Sequence, residues 1–132
     1  MYIYTLVADV RKVIEGLRAN RGEFKLAMLY NLDLDASTNW NLIVSSDWTD
    51  SLGITEATRV IARSLHERLG LENKAAISRV TVLRTSDPFV KDMARLYPMM
   101  SPGGGVPIKQ VTAGGITKGA GFVFYSLPEI PV

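Results

Sequence analysis

Gly114-Gly115-Ile116-Thr117-Lys118-Gly119 comes nearest, by residue type, to a binding function. Glycine backbone N–H groups and one ammonium can surround an anion, as phosphate-binding loops do. The spacing is not that of a Walker A sequence, and the stretch runs into an apolar strand, so no helix N-terminus reinforces it. A flexible hairpin connection explains the same glycines. Gly114, Gly115, Lys118 and Gly119 are therefore the candidate ligand-binding residues, with a phosphate-containing ligand as the matching chemistry. Asp33 and Asp35 lie on one side of an extended segment and could share a divalent cation. Asp47 and Asp50 stand at the far end of the next strand. Aspartate is also common in turns, and no metal site is expected here. His66 is the only histidine. It could act as a general base, but neither Ser64 nor Glu67 is spaced to complete a nucleophilic constellation, so a solvated surface histidine is expected and no catalytic residue is assigned.

The octapeptide Lys118-Gly119-Ala120-Gly121-Phe122-Val123-Phe124-Tyr125 resembles the RNP1 sequence of RNA-recognition motifs, which implies aromatic rings on a strand that stack on bases. Ala120 stands where one of those rings belongs, and only Ser126 to Val132 follow where the family continues with a helix and a strand. Nucleic acid is not expected as a partner. Strict alternation along this strand sends Phe122 and Phe124 to one side and Val123, Tyr125 and Leu127 to the other, so neither face suits water. With helices expected mainly on one face, a second copy of the chain should cover the other, the alternative being that the N-terminal helix crosses to it and keeps the protein monomeric. Phe122, Phe124 and Tyr125 are the candidate self-association surface of a homodimer.

Composition limits the classes of function. The 132 residues are 47% hydrophobic and 21% charged, which suits one folded domain over residues 1–132. Fifteen basic and 13 acidic residues leave a net charge of +2, too little for the field of a dedicated nucleic-acid binder. With no cysteine, disulfides, thiolate catalysis and cysteine-ligated metals are excluded, and no cofactor is expected. Asp9, Arg11, Lys12 and Glu15 interrupt the N-terminal apolar residues, so neither a secretion signal nor a membrane span is read there. A cytoplasmic location is expected.

The elements that position these residues follow from periodicity. Ile3, Leu6, Val10, Val13 and Leu17 repeat at helical spacing, predicting a helix over 3–19. Phe24 to Leu32 changes to a period of two and pairs with an apolar run over 40–46 as an antiparallel hairpin. Ile54, Ala57, Ile61, Leu65 and Leu69 form the next helical stripe, with N-caps available in 51–55 and Gly70 as its stop. A strand over 77–83 follows, then a short helix opened by Asp87-Pro88. Strands over 106–112 and 121–127 complete an α+β fold of order αββαβαββ, with three helices on a mixed sheet of about five strands. The long helix makes the second and third strands parallel.

Asn39-Trp40-Asn41-Leu42-Ile43-Val44-Ser45-Ser46-Asp47-Trp48 and Ile77-Ser78-Arg79-Val80-Thr81-Val82-Leu83 resemble segments of a small bacterial protein family of unknown function, over roughly residues 24 to 97. That resemblance implies no activity and no site residue. No acid–base pair, nucleophile arrangement or metal set outweighs its ordinary structural explanation. The sequence therefore points to a noncatalytic interaction or small-ligand-sensing domain, with an enzyme acting on a phosphate-containing substrate through the loop over 114–121 as the alternative.

Overall fold

The three-and-four spacing at the start of the chain forms helix α1 (Ile3–Arg21). Its Leu6, Val10, Val13 and Leu17 are all buried. The computed structural model describes residues 3–32, 36–98, 106–108 and 119–127. The two-residue period that follows α1 makes strands β1 (Leu26–Asn31) and β2 (Trp40–Ser45), paired antiparallel from Leu26 opposite Ser45 to Tyr30 opposite Asn41.

Between β2 and the next strand the chain forms three helices where one was expected: α2 (Asp47–Leu52), α3 (Ile54–Arg68) and α4 (Leu71–Ala76). Ser46 starts α2. Its hydroxyl accepts from the Trp48 N–H at 3.2 Å, and its own N–H donates to Thr49 Oγ1 at 3.0 Å. This is a capping box with threonine in the place usually held by glutamate or glutamine. Gly53, at φ 88°, separates α2 from α3, so the start of the long helix falls to a glycine in left-handed backbone rather than to a hydroxyl cap. Gly70 does not take the left-handed conformation of a helix stop either. At φ −67° it leads into α4.

Strand β3 (Ile77–Val82) pairs parallel with β2, as a helical crossover requires. Helix α5 (Pro88–Leu96) begins at Asp87, whose carboxylate accepts from the Phe89 N–H at 2.8 Å. Strands β4 (Val106–Ile108) and β5 (Ala120–Ser126) pair antiparallel and complete a five-stranded mixed sheet of order β3-β2-β1-β5-β4. The α+β class, five strands and mixed pairing agree with the sequence reading, while the helices among the described residues number five rather than three.

The sheet is buried on two sides. Its first face packs Ala27, Leu29, Trp40, Leu42, Val44 and Phe122 against α1 and α3. Its second face packs Leu26, Met28, Ile43 and Val123 against Phe89, Val90 and Met93 of α5. Strand β5 departs from strict alternation. The register slips between Ala27 and Met28, which face Tyr125 and Val123, so Phe124 is the extra residue of a bulge. Phe122, Phe124 and Tyr125 consequently all join the first-face cluster and Val123 joins the second, which corrects the expected division of the rings between faces. Gly121 sits where a Cβ would collide with the Leu29 carbonyl and come within 2.9 Å of Met28 Cε.

Candidate functional site

Phe122, Phe124 and Tyr125 are at most 4% exposed. The protein's own helices cover them, which leaves these rings no surface for a second copy or for stacking on bases. Tyr125 donates its hydroxyl to the Glu15 carboxylate, and the Arg18 guanidinium lies 5.9 Å from the centre of its ring. Arg18 in turn pairs with Glu23 at 2.7 Å. Burial first, and then the hydrogen bond to Glu15, push the Tyr125 hydroxyl far above its ordinary value of 10.0. These contacts tie α1 to β5.

Of the glycine loop, Gly114, Gly115 and Lys118 lie outside the described residues, as do Asp33 and Asp35. Gly119 is described. Its φ is +128°, and a Cβ there would strike the Tyr30 hydroxyl, so glycine is needed both for conformation and for space. Asn31 is opposite Ala120, so the chain leaves β1 and enters β5 at the same end of the sheet. Leu32 and Gly119 therefore both lie at that end. Asp50 serves structure instead, accepting from the Thr85 hydroxyl at 2.6 Å. Asp47 is 3.6 Å from Lys25.

The concave surface near that end was not found from the sequence. Helix α5 covers the middle of the second face, but the row Tyr30, Asn41, Arg79, on three adjacent strands in register, lines a cleft of about 350 Å³ together with Asn31, Leu32, Asn39 and Ser78. Hydroxyls on β3 orient the two asparagines. Ser78 Oγ donates to Asn39 Oδ1 at 3.2 Å, and Thr81 Oγ1 donates to Asn41 Oδ1 at 2.9 Å. Asn39 holds a φ of 64°, a left-handed conformation that asparagine tolerates better than most residues. Polar Asn39 and Asn41 at alternate positions around Trp40, and Arg79 and Thr81 at alternate positions on β3, were the readable trace of this polar strip.

A second concavity of about 320 Å³ lies between α3 and the outer edge of β3. Ala62, Leu65, Leu69, Ile77 and Val80 give it apolar walls. Among the described residues that line it, the charged or titratable groups are His66, Lys74 and Arg79, and none is a carboxylate. His66 is exposed, as expected, and borders this groove.

The sheet's two edges differ. β4 is three residues long and contains Pro107, both features that blunt an edge against further pairing. β3 runs six residues without proline and, among the described residues, pairs only with β2. The Leu83 N–H donates to the Val44 carbonyl. Alternation along the strand then turns the Val80 and Val82 backbone groups outward, away from β2.

Among the described residues no helix is long and apolar enough to cross a membrane, and no three histidine, aspartate or glutamate side chains gather as a metal site. Neither family models, curated proteins nor solved structures gave a match to this chain.

Proposed function

We propose that this protein is a noncatalytic interaction domain that takes an extended segment of a partner protein as an added strand on β3. The observation that carries this reading is the open six-residue edge of β3, set beside an apolar groove, in a sheet whose other edge is blunted. In strand addition, main-chain hydrogen bonds supply affinity and alternate side-chain pockets supply specificity. Here one set of partner side chains would enter the groove under α3, and the intervening set would lie beside Arg79 and Thr81 on the second face. His66, Lys74 and Arg79 along the groove favour an acidic partner. A second copy of this chain pairing antiparallel through the middle of β3 would set Arg79 diagonally near its own counterpart, so charge favours a different protein.

The test is binding of a fluorescent peptide alternating valine and glutamate, followed by anisotropy. Binding is expected for the wild type, with loss in Val80→Pro, which removes an outward N–H without touching the ladder to β2. Weakening of about tenfold is expected in Lys74→Glu, and a valine–lysine peptide should bind far less. Equal binding by Val80→Pro, or a wild-type dimer that buries β3 and ignores the peptide, would overturn the proposal.

A further inference from the structure

The cleft on the second face presents an unusual balance of donors and acceptors. Asn39 and Asn41 have their carboxamide oxygens engaged by the Ser78 and Thr81 hydroxyls. Their Nδ2 groups have no acceptor among the described residues, so each amide offers donors alone. Arg79 lies in register with Asn41 on the neighbouring strand. Its guanidinium is exposed and has no ion-pair partner among the described residues. Among the described residues that line the cleft, none carries a carboxylate. An unpaired guanidinium flanked by two donating amides calls for an anion rich in acceptor oxygens.

We infer that this cleft binds a small-molecule phosphomonoester, with the phosphate held by Arg79, Asn39 and Asn41 and the organic part against Tyr30 and Leu32. Three donor side chains, Asn41 on β2, Arg79 on β3 and Asn39 just before β2, match a group with three terminal oxygens better than a two-oxygen carboxylate, and arginine's planar fork engages two of those oxygens at once. The cleft's volume of about 350 Å³ leaves room for an organic part beyond the phosphate and falls in the range of small-ligand sites. Tyr30 contributes ring surface and is held by packing against Gly119, so its position does not depend on the ligand. The two sites share Arg79, but the phosphate is held by side chains on the second face, whereas strand addition depends on the outward backbone of β3 and on Lys74, which the cleft does not use. The two readings can therefore fail separately.

Phenyl phosphate is the probe, titrated into the full chain while the side-chain amide and guanidinium signals are followed by NMR, with inorganic phosphate and benzoate in parallel arms. Phenyl phosphate should shift the Asn39, Asn41 and Arg79 side-chain signals and bind more tightly than inorganic phosphate, which lacks the ring, and than benzoate, which lacks the third oxygen. Arg79→Ala should weaken binding about tenfold or more, Asn41→Asp should abolish it by placing a like charge in the cleft, and both should keep the wild-type fold by circular dichroism. Val80→Pro should bind phenyl phosphate as the wild type does. No shift of these signals at about 10 mM, where even millimolar affinity would saturate the site, would overturn the inference. So would benzoate binding as tightly as phenyl phosphate, or undiminished binding in folded Arg79→Ala.

Discussion

Tyr125 shows how one residue can look like surface in a sequence and turn out to be a tie in the core. In the folded protein its hydroxyl is buried and donates to Glu15, so the neutral form is favoured and deprotonation is delayed to higher pH than in the unfolded chain. The sign of the pH dependence follows. Below the unfolded value near 10 both states keep the proton and the contribution is fully present. As pH rises past that value the unfolded chain loses the proton first, and stability falls until the folded value is passed. Chemical denaturation of the wild type and Tyr125→Phe at a series of alkaline pH values should show a steeper loss in the wild type. Parallel curves for the two proteins would contradict the assignment. The residue types of the glycine loop pointed toward anions, whereas the donors that converge in the described structure are Arg79, Asn39 and Asn41. Asn39 and Asn41 are two residues apart, but Arg79 is distant in the chain, and only the register between β2 and β3 brings it beside them.

At the scale of elements, the unexpected helix α2 depends on Ser46. Its hydroxyl is fully buried, accepts from the Trp48 N–H and donates to the Glu23 carbonyl at 2.6 Å, joining the start of α2 to the chain leading into β1. Ser46→Ala removes the cap and strands the Glu23 carbonyl, and a loss of about 1 to 2 kcal/mol is expected in urea denaturation. A loss no larger than that of an exposed serine such as Ser51 would show the cap to be dispensable. Helices α1, α3 and α5 and strands β1, β2, β3 and β5 were legible because their apolar periods persist over several residues. Six-residue α2 and α4 were not, since so short a segment shows hardly more than one turn of pattern and forms through its caps and neighbours. The bulge in β5 was also invisible, because an extra residue changes the side chains' direction without changing their types.

On the scale of the whole molecule, one sheet supports two packed layers, and each strand of the β2-β1-β5 centre contributes side chains to both. Loss of either layer should therefore weaken the other. Met93→Ala, which truncates a fully buried side chain of α5 on the second face, is expected to cost about 2 to 5 kcal/mol. It should lower the transition followed by fluorescence of Trp40 and Trp48, which pack with the opposite layer. A lowered signal from Tyr97, beside α5, with an unchanged tryptophan transition would show that the layers unfold independently. The same two-sided burial explains why a strand apolar on both faces needs no second copy to cover it. Helix α5 crosses to the second face and does so.

By itself, the sequence determined the α+β class, the order of the long elements, the parallel crossover and the absence of thiol chemistry, because these follow from local periodicity, chain connectivity and composition. Tertiary structure decided which apolar faces are covered, which sheet edge stays open, and that Tyr30, Asn41 and Arg79 stand side by side. The physical reason is that hydrophobic period reports only that a side chain is buried. What it is buried against, and which polar groups are left over, depends on the register between strands distant in the chain and on where a nine-residue helix such as α5 comes to rest.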